Sequence, residues 1–232
     1  MLKQSVCQYA KTVIWIILVL IGYKIAGQIL LYIYWGPQAL GNLGGFLLSM
    51  GRKMVQLVYI LLILGTCGWM RDLKWNRADF CKGIKIACPL LILYGILFGL
   101  AMMQAAGVIS IAETGKELTW QFAVEQFLYF FLGTALTEEL FFRGILMRKL
   151  IFLNKWKKGR WNLALIAQAF LFGIMHGGQL IQAANYAGAF RSMAWAAVGG
   201  LVYGLVYWKS NSIWAVVFLH GCYDFSVILL FP

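Results

Sequence analysis

Seven ionisable side chains stand within long apolar runs of this sequence: Glu125, Glu138, Glu139, Arg143, His176, His220 and Asp224. The chain has only two histidines, and both belong to the set, in Phe172-Gly-Ile-Met-His176 and Phe218-Leu-His220. An ionisable group near the middle of a bilayer costs about 2.5 to 3.5 kcal/mol on insertion scales, so one that stays there calls for a function. Carboxylates and imidazoles take up and release protons. A cluster of them can activate water, ligate a metal or relay protons. Lys24 also lies in an apolar run, but its stem is long enough to snorkel to the membrane surface.

Helical geometry sorts these groups. Successive residues are about 100° apart, so Glu139 and Arg143 (i, i+4) share a face and neutralise each other. Glu138 is rotated away from the arginine and is left as the free carboxylate. His220 and Asp224 have the same i, i+4 spacing and point into one part of a bundle. Counted at about 1.5 Å per residue from the basic ends of their helices, Glu138 and His220 lie roughly 12 Å deep, Asp224 roughly 18 Å and His176 roughly 21 Å. Four costly groups at comparable depths on three helices share one explanation, whereas Glu125 lies near the end of its run and can reach water.

The elements that must position them follow from composition. Of the 232 residues 62% are hydrophobic and 12% charged, and the mean hydropathy is +0.78, outside the range of a soluble domain. About seven apolar runs are expected to span a membrane: 12–34, 54–70, 86–107, 121–146, 162–181, 193–208 and 212–231. The net charge of +12 resides mostly at the ends of these runs, which excludes a nucleic-acid partner in favour of a topology signal. Lys3, Lys11, Arg71, Lys74, Arg77, Lys82, Lys85, Arg148, Lys149, Lys155, Lys157, Lys158, Arg160 and Lys209 fall on one side. Only Arg52, Lys53, Lys116 and Arg191 fall on the other, with the polar turn that carries Glu113 and Glu117. The N-terminus is therefore expected in the cytoplasm and Pro232 outside. The run at 12–34 is too long for a signal-peptide core, so Ala39-Leu-Gly41 is not read as a cleavage site. The five cysteines form no C-x-x-C pair and indicate neither a disulfide framework nor a cysteine metal site. Gly200-Leu-Val-Tyr-Gly204 has the small-xxx-small spacing of close helix packing.

Three segments resemble a known family. Glu138-Glu139-Leu-Phe-Phe-Arg143 is similar to the E-E-x-x-x-R motif of the CAAX prenyl-protease and bacteriocin-processing family of intramembrane peptidases, also described as abortive-infection-like. Phe172-Gly-Ile-Met-His176 resembles its F-x-x-x-H motif, and His220-Gly-Cys-Tyr-Asp224 its H-x-x-x-N/D motif. The likeness divides the chain into residues 1–119, transmembrane helices without a recognised motif, and 120–232, a catalytic core.

The resemblance implies an all-α, polytopic transmembrane bundle with a membrane-embedded catalytic cavity open to the cytoplasmic side. It implies hydrolysis of peptide bonds in membrane-associated proteins or peptides without a covalent intermediate. By analogy Glu138, assisted by His176, activates the attacking water, His220 and Asp224 stabilise the oxyanion or hold a metal, and Glu139 and Arg143 support them. An ionised Asp224 only accepts hydrogen bonds, so it must be protonated, orient His220 or ligate a metal. His176, His220 and Glu138 could supply a catalytic zinc site, although the H-E-x-x-H spacing of zinc peptidases is absent. The plasma membrane of a bacterium is the expected location. Two other readings remain: a proton-coupled transporter, which clustering at one level disfavours, and a non-catalytic bacteriocin-immunity or scaffold protein, which has no need of the complete motif set.

The charge asymmetry makes the segment 147–160 cytoplasmic. A cysteine placed at 156 should resist labelling by an impermeant reagent applied from outside, and one placed after Pro232 should react; the reverse pattern would invert the topology.

Overall fold

The computed structural model describes residues 2–33, 41–73, 75–109, 118–151, 162–177 and 186–231. The expectations for Lys74, Lys116, Glu113, Glu117, the basic cluster Lys155, Lys157, Lys158 and Arg160, and Pro232 lie outside them. The described residues are helical almost throughout: α1 (Leu2–Ile33), α2 (Gly41–Thr66), α3 (Arg77–Ala105), a long composite α4, α5 (Leu163–Met175), α6 (Tyr186–Ser210) and α7 (Ile213–Leu230). Helix α4 begins as Trp120–Leu128, widens into a π-helix over Tyr129–Ala135, returns to α for Leu136–Glu139, widens again over Leu140–Met147 and closes with Arg148–Leu150.

Local signals set the starts of these helices. Asn76 Oδ1 accepts from the backbone N–H of Ala78 at 2.9 Å and begins α3. Thr119, Asn162 and Ser212 do the same for α4, α5 and α7, each satisfying an N–H that has no partner within its helix. Between α6 and α7 the chain reverses within two residues through Asn211, whose φ of 61° is a left-handed conformation that asparagine tolerates.

Among the described residues, five helical segments are long and apolar enough to cross a membrane: Tyr9–Ile29, Gly44–Thr66, Arg77–Ala105, Tyr186–Ser210 and Ile213–Leu230. The remaining two of the seven expected spans are different in kind. Helix α5 has only 13 residues, short of the roughly 20 that a bilayer core requires. Helix α4 is interrupted by its π turns. The second span also begins earlier than the expected residue 54, because Arg52 and Lys53 lie inside α2 and not in a loop. Outward-facing Ile14, Leu18, Leu62, Ile92 and Phe170 surround an interior that holds Arg143, Glu139, Gln168 and His220. That inside-out distribution is what lipid as solvent selects, and the chain is an integral membrane protein.

Helices α5 and α6 approach closely through glycines. A Cβ on Gly200 would sit 3.2 Å from Ala169 Cα, and one on Gly204 would collide with Leu165 and Gln168, which fits the small-xxx-small reading. A Cβ on Gly173 would meet the Met193 carbonyl oxygen at 2.7 Å. Backbone cannot rotate aside, so the overpacking cost of about 1 to 3 kcal/mol outweighs the roughly 0.5 to 1 kcal/mol that alanine gains over glycine in a helix. Gly173→Ala should therefore lower the melting temperature in detergent. Gly95→Ala, where a Cβ meets nothing within 4 Å, should leave it unchanged or raise it.

Candidate active site

The two adjacent glutamates of α4 occupy the single α-helical turn between its π segments, and they face different surroundings. Glu139 is fully buried. Its carboxylate accepts from Arg143 Nη1 at 3.0 Å and lies 2.7 Å from His220 Nδ1 on α7. The other imidazole nitrogen, Nε2, lies 3.3 Å from Asp224 Oδ2. Arg143 Nη2 donates to the Gly200 carbonyl at 2.9 Å, and Gln168 Nε2 donates to the same oxygen at 2.8 Å. The guanidinium carbon lies 5.1 Å from the centre of the Phe172 ring and 5.7 Å from that of Tyr203, and Tyr203 stacks on His220 at 4.7 Å. This chain of four charged or ionisable groups joins α4 to α6 and α7. The i, i+4 pairs expected from the sequence are both present. The cross-link between them, Glu139 to His220, is a contact that spacing alone does not reveal.

Glu138 faces the other way, toward α2 and α5. Its Oε1 accepts from Lys53 Nζ at 3.0 Å. Its Oε2 lies 3.9 Å from His176 Nε2, is shielded from solvent and has no hydrogen-bond partner. His176 caps the end of α5, and its Nδ1 lies 2.8 Å from the Phe172 carbonyl. A separation of 3.9 Å is too long for a direct hydrogen bond and short enough for one water to bridge. Both residues line a cavity of about 250 Å³ with Tyr23, Lys53, Tyr129 and Met175.

Glu138 is thus not the free carboxylate that helical geometry suggests. Its partner, Lys53, comes from the half of the chain without a motif. Lys53 is a site residue that sequence reasoning missed because its charge and that of Arg52 read as a loop. The signal was present: Ser49, Arg52, Lys53 and Gln56 recur at helical spacing, as do Lys24 and Gln28 on α1, and all of them line the cavity. Lys24 is exposed, and its Nζ donates to the Met175 carbonyl at 2.9 Å. Glu125 stands apart, accepting from Gln121 at 2.8 Å.

Two further expectations change. His220 and Asp224 are not among the residues that line the cavity; Glu138 approaches His176, and His220 approaches Asp224. The cavity also extends from Glu138 toward the end of the bundle where α1 finishes and α2 starts. The opposite end carries Arg148 against Trp69 and Lys149 against Trp15, with the basic residues Arg71, Lys82 and Lys85 in the adjoining segment. The described lining of the cavity does not reach that basic end. Nor do His176, His220 and Glu138 close around a common point. Among the described residues no three His, Cys, Asp or Glu side chains do so. Both nitrogens of His220 already face carboxylates, so this donor set does not fit the three protein ligands of a catalytic zinc.

Residues 119–226 match the family described as Rce1-like, type II CAAX prenyl endopeptidase Rce1-like. In this segment the chain is similar to the Rce1-like family. The match covers just under half of the chain and contains Glu138, Glu139, Arg143, His176, His220 and Asp224, but not Lys53. No curated protein and no solved structure matches the chain. The Rce1-like segment supports a CAAX-type intramembrane endopeptidase in general terms, on a membrane bundle of the kind described above.

Within this segment the arginine is fully enclosed, with no solvent access to either partner of the Arg143–Glu139 pair. Removing one partner of a buried pair leaves the other uncompensated, at a cost of about 3 to 5 kcal/mol. Arg143→Ala should therefore reduce folded protein in the membrane as well as activity. Full abundance with lost activity would instead make Arg143 a substrate-contacting group.

Proposed function

We propose that the chain is an endopeptidase that cuts peptide bonds of membrane-associated substrates, with Glu138 as the base that activates water. The observation that carries this reading is the buried, unpartnered Glu138 Oε2 set 3.9 Å from His176 Nε2 on the wall of a cavity. Lys53 occupies Oε1 and supplies the countercharge that allows a carboxylate to reside in a poorly solvated place. The remaining oxygen and the imidazole hold one water between them.

In the proposed reaction Glu138 takes a proton from that water as the water oxygen adds to the scissile carbonyl carbon. Negative charge passes to the carbonyl oxygen. The carbon–nitrogen bond then breaks as the proton is delivered to the leaving nitrogen, and carboxylic acid and amine result. His176 orients the water. Lys53 has N–H donors beyond the one on Glu138 and lines the same cavity, so it is the cation nearest to hand for the developing oxyanion. His220 and Asp224 are assigned to positioning, because they hold Glu139 and hence the turn on which Glu138 rides.

The test is cleavage of candidate membrane peptides by purified protein in liposomes. Glu138→Gln keeps the shape and loses the base, and should slow cleavage by the roughly 10² to 10⁴-fold typical of general-base removal. Glu139→Gln should affect stability more than the chemical step. A chelator is expected to leave the rate unchanged, and inhibition reversed by zinc would select a metal-assisted reaction instead. If Glu138→Gln cleaves at the native rate the assignment of the base fails, and if no membrane peptide is cut the transporter and scaffold readings move ahead.

A further inference from the structure

The cavity is more positive than a proteolytic water alone requires. Lys24, Arg52 and Lys53 line it, against one carboxylate, Glu138. Lys53 is matched to Glu138. Lys24 and Arg52 reach only backbone oxygens: Lys24 Nζ that of Met175 at 2.9 Å, and Arg52 Nε that of Gly27 at 2.6 Å. Among the described residues no carboxylate lies within ion-pair distance of either. With three basic side chains against one carboxylate, the described lining carries an excess of positive charge. The carbonyl bond of Lys24 draws its ammonium to the residue next to His176, and the terminal nitrogens of Arg52 remain as donors toward the cavity.

We propose that Lys24 and Arg52 form an anion subsite that binds a carboxylate of the peptide substrate, an acidic side chain or a chain end, close to the bond that is cut. This rests on the endopeptidase reading of the same cavity. A lipid phosphate is the less suitable occupant. Lys24 and Arg52 share one cavity wall with Glu138 and His176. That shared wall favours a group carried in by the peptide that is cut. Both cations come from α1 and α2, outside residues 119–226, so this subsite would select substrates while the matched segment performs the chemistry.

The experiment uses the full chain in phosphatidylcholine nanodiscs and fluorescent apolar pentapeptides in matched pairs, one pair a free C-terminal carboxylate against its amide, the other an internal Asp against Asn. Anisotropy reports binding and chromatography reports cleavage. At least one acidic member should bind about tenfold or more tightly than its neutral partner, the scale of a charge-assisted hydrogen bond. Lys24→Met with Arg52→Gln should abolish the difference, and Lys24→Arg with Arg52→Lys should retain it. Equal binding of acidic and neutral members by native protein overturns the proposal, as does a preference that survives the double neutralisation. Displacement of the bound acidic peptide by soluble glycerol phosphate, lost on Lys24→Met with Arg52→Gln, would give the cations to a lipid phosphate and also overturn it. If the neutralised variant does not fold, the matched peptides on native protein and on the charge-retaining variant still decide. Failure of the endopeptidase reading would appear differently, as acidic peptides bound and left uncut.

Discussion

A guanidinium sealed from solvent inside a membrane protein must have its charge answered on every side, and Arg143 sets that requirement here. Glu139 meets it with a carboxylate, Gly200 with a backbone oxygen, and Phe172 and Tyr203 with their ring faces. Glu139 in turn takes His220, which takes Asp224. Each link is costly alone and affordable only while the others hold, so α4, α6 and α7 are fixed relative to one another by a single charge network. The aromatic and glycine contacts around it are consequences: rings close over the guanidinium, and helix α5 must come near enough for Gln168 to share the Gly200 carbonyl.

The network also explains why two neighbouring glutamates do different work. Residues one step apart on a helix point about 100° apart, and once Glu139 is committed to Arg143 and His220, Glu138 has no choice but to face α2 and α5. In the proposed reaction, structure and chemistry are thereby divided between adjacent positions. The cost of a second carboxylate in the bundle is offset by Lys53 from a helix that carries no recognised motif. The N-terminal helices are thus part of the cavity wall and supply most of its positive charge.

Much of this was legible in the sequence. The inventory of misplaced polar residues, the pairing of Glu139 with Arg143 and of His220 with Asp224, and the all-helical membrane architecture follow from hydropathy and a period of 3.6. What was not legible involves contacts between helices far apart in sequence, such as Lys53 with Glu138, eighty-five positions away. A window that counts charges treats Arg52 and Lys53 as the end of a span, although the polar stripe from Ser49 to Gln56 marks a face turned inward. That misreading also concealed the cavity, because Ser49, Arg52, Lys53 and Gln56 are among its lining residues. The π turns of α4 leave no mark in composition at all.

Those wide turns have a consequence for how such a helix can change. An added residue in an α-helix rotates everything beyond it by about 100°, which on a regular α4 would exchange the directions of Glu138 and its neighbours. A π segment carries its extra residue within a single wide turn, and the residues that follow keep their heading. With one such segment on either side, the turn Leu136–Glu139 is insulated from both flanks. The two ends of α4 can then lengthen or shorten by single residues over evolutionary time, adapting to bilayers of different thickness, while the carboxylates keep their aim.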